Sequence, residues 1–151
     1  MLRRLALLSF LLTLAVIGPL QGPPSASASP EARMTAAING IRASHGLRPL
    51  RSSPGLRRSA SRRARIMVRR NVFGHFPSNA RHFTPIGEVI GLRYGRRPGT
   101  GTILRQWMRS PGHRYVLMHP SMRYIGAAAQ RGRMGRRMAV TWVVRAGGRK
   151  R

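Results

Sequence analysis

The sequence predicts one α+β domain that follows an export signal. Helix-like segments come first and two strand-like segments come last, without the alternation of strands and helices that is typical of a parallel sheet. The chain of 151 residues is long enough for one domain with a modest core. Its apolar fraction of 42% is close to that of an ordinary globular protein, which argues against wholesale disorder.

The first 28 residues have the three-part organisation of a secretory signal peptide. Arg3 and Arg4 precede an apolar stretch at residues 5–17, and a Gly/Pro-rich break leads to Ala26-Ser27-Ala28. A membrane-spanning helix needs about 20 apolar residues, so a retained anchor is disfavoured and no stable transmembrane span is expected. We therefore expect cleavage near Ala28, a secreted or cell-envelope location, a folded domain over 29–146 and a frayed basic tail over 147–151.

Two amphipathic helices are predicted in the first half of the domain. Residues 32–44 place apolar side chains at helical spacing and end at His45-Gly46. Residues 54–71 follow Ser53, a good N-cap, and carry an apolar stripe of Leu56, Ala60, Ala64 and Met67. The opposite side of this second helix carries four arginines, which are Arg58, Arg62, Arg65 and Arg69.

The second half of the domain contains the predicted strands. Residues 87–91 indicate a short strand or an extended loop, and residues 100–109 indicate a third helix. Ser110-Pro111 opens a short helical turn with Ser110 as its N-cap. Residues 124–130 and 138–144 are expected to form an antiparallel pair, with the turn at residues 131–133 and Gly135.

Composition excludes several classes of chemistry. The chain has no Cys, no Asp and two Glu, against 29 basic residues, for a formal net charge of +27. Disulfide frameworks, thiolate catalysis and a Ser-His-Asp triad are therefore excluded, and paired-carboxylate mechanisms are nearly so. Catalysis is left open and disfavoured, and a secreted domain without Cys must fold by packing alone.

Glu88 is the first candidate functional residue. Glu31 is expected near the mature N-terminus, outside the apolar face of the first helix, which leaves Glu88 as the only carboxylate in the folded body. Two interpretations remain open for an acid beside an apolar run. Glu88 either forms a structural ion pair with an Arg, or serves as a site acid or metal ligand together with histidines from elsewhere in the chain.

The five histidines give no metal signal by spacing. His45, His75, His82, His113 and His119 include no pair at i, i+4 and no H-E-x-x-H motif. His45 suits a helix C-terminus, and His82 and His119 suit surface or turn positions. His75 lies in an aromatic-flanked turn and His113 lies one turn into a helix start, so these two are the ones that the fold could direct inward.

Five segments, taken in order, resemble the bacterial SCP-like branch of the CAP superfamily. They are residues 38–50 (INGIRASHGLRPL), 73–75 (FGH), 87–90 (GEVI), 107–114 (WMRSPGHR) and 124–127 (YIGA). This resemblance implies an α-β-α sandwich around a small antiparallel sheet. It also implies a central cavity lined by two His and two Glu, of which His75, Glu88 and His113 match three. These three residues are therefore the predicted ligand cleft.

The departures from the family pattern concern the same cavity. The second family Glu has no counterpart in the body, and Val89 stands where the family usually has Asn. Two His and one carboxylate can still hold Zn²⁺ or another divalent cation with one open position. The strong positive charge opposes a dication, so no cofactor is assigned and a metal on His75, Glu88 and His113 remains a hypothesis.

Three functions follow as hypotheses. The first is binding of an unknown small or lipid-like ligand in the His/Glu cleft. The second is adhesion of the arginine row Arg58, Arg62, Arg65 and Arg69 to anionic envelope polymers, with nonspecific nucleic-acid binding at low salt. The third is a weak hydrolase that uses Glu88 and a His. The sequence contains no nucleic-acid recognition motif.

Overall fold

A computed structural model describes residues 28–76 and 83–150 of the chain. The predicted signal peptide, except for Ala28, and His82 lie outside the described residues. The elements in chain order are α1 (Pro30–Ser44), β1 (Arg51–Ser52), α2 (Pro54–Arg70), β2 (Phe83–Tyr94), α3 (Thr100–Arg109), α4 (Pro111–Met118), β3 (Tyr124–Met134) and β4 (Arg137–Lys150).

The four strands form one sheet in the order β1-β3-β4-β2. The three long strands are antiparallel neighbours, as predicted for β3 and β4. The two-residue strand β1 pairs in parallel with the start of β3, so the sheet is mixed rather than purely antiparallel. Strand β1 was not predicted from the sequence, because two residues are too few to show an alternating pattern.

Helices cover both faces of the sheet and give three layers. Alternate residues of β4 point to opposite faces. Val143 packs with Ala60, Ala64 and Met67 of α2 on one face. Trp142 packs on the other face in the larger core, which includes residues of α1, α3 and α4. The predicted α+β class and the sandwich implied by the resemblance are confirmed.

The predicted N-cap at Ser53 and the predicted stop at Gly46 are confirmed. The Ser53 hydroxyl accepts a hydrogen bond from the backbone N–H of Leu56, and Asn71 ends α2 in the left-handed conformation at φ 51°. Gly46 has φ 68° just after α1. The four arginines of the predicted row on α2 are exposed, as expected. In the described part of the chain, no helix combines the length and the apolar character needed to cross a bilayer.

Two predictions about the C-terminal hairpin are wrong. Strand β3 continues to Met134, so the turn is Gly135-Arg136, with Gly135 at φ 61°, and residues 131–133 are strand. Strand β4 continues to Lys150 instead of fraying from Gly147. Gly147 pairs with both Ile86 and Tyr124. Backbone pairing with β2, and at Gly147 also with β3, holds this segment in the sheet.

The backbones of strand β3 and helix α2 approach closely at Gly126, and this contact generates a stability prediction. A Cβ at Gly126 would lie 2.7 Å from the Cα of Arg57 and closer still to the peptide that joins Leu56 to Arg57. Because backbone cannot yield as a flexible side chain can, Gly126→Ala should lower the free energy of unfolding by about 3 kcal/mol, measured by urea denaturation.

Gly40→Ala is the matched control for this substitution. Gly40 lies within α1 and a Cβ there meets nothing within 4 Å. This change should stabilise the protein by about 0.5–1 kcal/mol, because Ala is the better helix former. Equal effects of the two substitutions would contradict the close packing of α2 on β3.

Candidate functional site

Glu88 lies in the middle of β2, on the face of the sheet that α2 covers. Glu88 is directly opposite Arg145 in the antiparallel register of β2 and β4. Ile90, two residues further along the same face, packs with residues of α2, whereas Val89 packs in the core on the opposite face. The strand period of two therefore places the Glu88 and Arg145 side chains together beneath α2.

Arg145 holds one oxygen of Glu88 in a largely buried ion pair. The Nε and Nη2 atoms of Arg145 donate to Oε2 of Glu88 at 2.8 and 2.7 Å. The Arg145 side chain is 5% exposed and that of Glu88 is 14% exposed. Helix α2 adds Arg63, whose Nε lies 3.6 Å from the same oxygen, and the Ser59 hydroxyl, which accepts from Nη1 of Arg145. The structural ion pair, one of the two interpretations of Glu88, is thus present.

His75 contacts the second oxygen of Glu88. Its Nδ1 atom lies 3.0 Å from Oε1, and its side chain is 56% exposed. Arg63 fixes the turn that carries His75, because its Nη2 donates to the carbonyl of Phe76 at 2.8 Å and its guanidinium lies 5.0 Å from the centre of the Phe76 ring. Two of the three predicted cleft residues, His75 and Glu88, are therefore in direct contact.

A cleft of about 210 Å³ opens at this contact, and it is called here the His75–Glu88 cleft. It is lined by His75, Phe76, Ile86, Gly87, Glu88 and Arg145. One wall is polar and ionic, and the other consists of Phe76 and Ile86. His113 is not among the lining residues.

His113 comes from α4, whose Leu117 packs in the core on the face of the sheet opposite α2. Helix α4 contacts β2 through Val116, against which a Cβ on Gly87 would collide. The Nδ1 atom of His113 lies 2.9 Å from the hydroxyl of Ser110. Ser110 occupies the N-cap position as predicted, but its hydroxyl makes no bond to the helix backbone. Burial lowers the pKa of His113, and the charge of His75 lowers it further.

The three residues do not fit a metal ion in this arrangement. Within residues 28–76 and 83–150, no three or more His or Glu side chains are gathered closely enough to hold one. Oε2 of Glu88 already accepts two N–H groups from Arg145, and Oε1 lies in direct contact with Nδ1 of His75.

The other acid also differs from expectation. Glu31 was expected outside the packed body, but its Oε1 accepts a hydrogen bond from the backbone N–H of Ala129 in β3, at 3.2 Å. Both carboxylates of the chain therefore contact the sheet. Sequence analysis also missed Arg145 as the partner of Glu88. The available signal was a basic residue that directly continues the apolar run of residues 138–144.

The buried ion pair generates a second stability prediction. Removing one member of a buried pair leaves an uncompensated charge, so Arg145→Met should lower the free energy of unfolding by about 3–5 kcal/mol. Glu88→Gln should cost a similar amount, and the double variant should cost less than the sum. Arg131→Met, at an exposed position of β3, is the control and should change stability by about 0.5 kcal/mol or less. Additive losses in urea denaturation would contradict the coupling.

The lowered pKa of His113 generates a prediction about pH. The unfolded chain protonates His113 near its ordinary pKa of 6.5, before the folded protein does. Stability should therefore be highest above pH 6.5 and fall as the pH drops towards the lower pKa of the folded state. His113→Asn should reduce this fall, measured as the difference between urea midpoints at about pH 8 and pH 5. The same difference in both proteins would contradict the role of His113.

Comparison with known proteins places this geometry in a family. The family model described as CAP, the Cysteine-rich secretory protein family, matches residues 35–145. Among curated proteins, no significant match to the chain is found. The present chain departs from the family's description in having no Cys.

Solved structures share the fold at low sequence identity. An outer surface protein from Borrelia burgdorferi has a TM-score of 0.62 and 20% identity, over 78% of this chain and 90% of that one. NaASP2, in a crystal structure with Zn²⁺, has a TM-score of 0.63 and 16% identity, over 85% of this chain and 88% of that one.

A third structure shows the domain as part of a longer protein. An extracellular protein containing a SCP domain from Bacillus anthracis has a TM-score of 0.56 and 20% identity, and the match covers 76% of this chain but 40% of that one. The family model spans most of the described residues, and these neighbours share the layered fold around the Glu88 strand. The chain therefore belongs to the CAP family.

Proposed function

We propose that the protein is an exported binding domain whose ligand enters the His75–Glu88 cleft. The observation that carries the proposal is the contact between His75 and Oε1 of Glu88 at the edge of a cleft that also has apolar walls. The signal-peptide pattern supports export. So do the descriptions of two structural neighbours as an outer surface protein and an extracellular protein.

The lining of the cleft favours a small amphipathic ligand. Phe76 and Ile86 are 40% and 39% exposed, so both present apolar surface at the cleft. His75 offers a half-exposed imidazole next to them. Ligand sites typically combine apolar walls with a few placed polar groups, so an apolar body with one hydrogen-bonding group suits this cleft.

The same geometry favours binding over hydrolysis. A general base needs an oxygen that is free to take a proton, but Oε2 of Glu88 accepts two N–H groups from Arg145 and Oε1 lies 3.0 Å from Nδ1 of His75. The second polar pair, Ser110 and His113, does not line the His75–Glu88 cleft. The hydrolase hypothesis therefore has less support than a binding role.

Titration with Nile red, an uncharged dye whose emission rises in apolar surroundings, tests this proposal. We expect saturable binding at about 0.5 M NaCl, where exposed charges are screened. Phe76→Ala should weaken binding about tenfold, because it removes the larger apolar wall.

Tyr94→Ala is the control, because Tyr94 is a 45% exposed aromatic residue at the other end of β2 and lies outside the cleft. This variant should bind the dye as the wild type does. Equal losses in the two variants, or no saturable binding by the wild type, would reject the cleft as the ligand site.

A further inference from the structure

A second cleft, of about 640 Å³, lies where α1, β1 and the start of β3 meet. It shares no lining residue with the His75–Glu88 cleft. Its charged lining residues are Arg48, Arg51 and Arg123, and it has no acidic lining residue. We call it the arginine cleft.

Local contacts fix the backbone around the arginine cleft. The Asn39 side chain donates to the carbonyl of Leu50 at 3.0 Å and accepts from the N–H of Leu50 at 2.8 Å. Leu50 is buried, which anchors the segment that carries Arg48 and Arg51. The backbone N–H of Arg51 donates to the carbonyl of Arg123 at 2.8 Å. Three positive side chains are therefore brought to one opening by backbone pairing, against their mutual repulsion.

Two of these arginines have no protein partner in the described part of the chain. Arg48 and Arg51 are exposed, and neither guanidinium makes a hydrogen bond or an ion pair there. Arg123 donates through Nη1 to the carbonyls of Pro120 and Met122, which orients its guanidinium and leaves other N–H groups available. The two acids of the chain, Glu31 and Glu88, are engaged elsewhere.

A buried cation beside the cleft adds a second, independent observation. Arg42 is completely buried, and its Nε donates to the carbonyl of Arg48 at 2.9 Å. Nη1 donates to the carbonyls of Leu117 and His119, but the buried Nη2 has no partner among the described residues. Burial lowers the pKa of Arg42, and the charge of Arg123 lowers it further. An anion close to Arg123 and Arg48 would offset this unfavourable clustering of positive charge.

We propose that the arginine cleft binds a phosphate group. Guanidinium groups pair with phosphate through two parallel hydrogen bonds, and phosphate has enough oxygens to accept from several arginines at once. A carboxylate has fewer oxygens and carries less negative charge than a phosphate group, so it matches three guanidiniums less well. The volume of the cleft also admits a diphosphate or the phosphodiester of a larger molecule.

Isothermal titration of the folded protein with inorganic pyrophosphate, at fixed ionic strength, tests the site. Arg48→Gln combined with Arg51→Gln should weaken binding about tenfold, because two charge-assisted pairs are lost. Both positions are exposed, so this variant should fold normally, which circular dichroism checks.

Arg58→Gln combined with Arg62→Gln is the matched control, since it removes the same charge from exposed positions of α2. Under the proposal this control binds pyrophosphate about as tightly as the wild type. An equal loss in both double variants would show only diffuse charge attraction and would overturn the proposal. Absence of pyrophosphate binding by the wild type would also overturn it.

Sedimentation with phosphatidylglycerol vesicles identifies the source of the phosphate. If pyrophosphate releases the protein from vesicles, and Arg48→Gln with Arg51→Gln abolishes that release, the cleft accepts a lipid headgroup. If pyrophosphate binds the cleft and leaves vesicle association unchanged, the cleft accepts a soluble phosphate compound. Both results support the site, and neither depends on the His75–Glu88 cleft.

Discussion

The ion pair between Arg145 and Glu88 connects β2, β4 and α2 in one set of polar contacts. It links the two longest strands across their shared face, and it reaches α2 through Ser59 and Arg63. Through Arg63 it also reaches the turn that presents His75. A carboxylate that is largely shielded from water needs hydrogen-bond donors or positive charges as partners. The 29 basic residues of this chain provide many of them. The shape of the His75–Glu88 cleft is therefore a consequence of neutralising one carboxylate.

Because the chain has only two acidic residues, not every buried arginine can have a carboxylate partner. Arg145 is neutralised by Glu88, but no carboxylate remains for Arg42, which is held by backbone carbonyls. Carbonyl dipoles satisfy hydrogen bonds without supplying a full negative charge. Of the three buried arginines, Arg63 and Arg145 pair with Glu88 at the His75–Glu88 cleft, and Arg42 lies beside the arginine cleft. At the His75–Glu88 cleft a carboxylate neutralises Arg145. At the arginine cleft no carboxylate of the described residues neutralises Arg42.

No disulfide joins the layers of this fold, because the chain has no Cys. Two buried tryptophans connect elements by both packing and hydrogen bonding, since Trp107 donates to the carbonyl of Ile90 and Trp142 donates to that of Pro98, each at 2.8 Å. Trp107 ties α3 to β2, and Trp142 ties β4 to the segment before α3. The family is described as cysteine-rich, but this chain has no Cys. Its layers are held together by such contacts and by the close approach of α2 to Gly126.

The sequence by itself determined what depends on near neighbours in the chain. The cap at Ser53, the stop at Gly46, the apolar stripes of the helices and the antiparallel pair of β3 and β4 were predictable, because each depends on residues a few positions apart. The order of its motifs also indicated the family and named His75 and Glu88. Only the tertiary structure decided that Arg145 would hold Glu88, that Nδ1 of His113 would face Ser110 and that residues 147–150 would be strand. These outcomes depend on register and on which face of the sheet each element covers, and a pattern along the chain does not encode either directly.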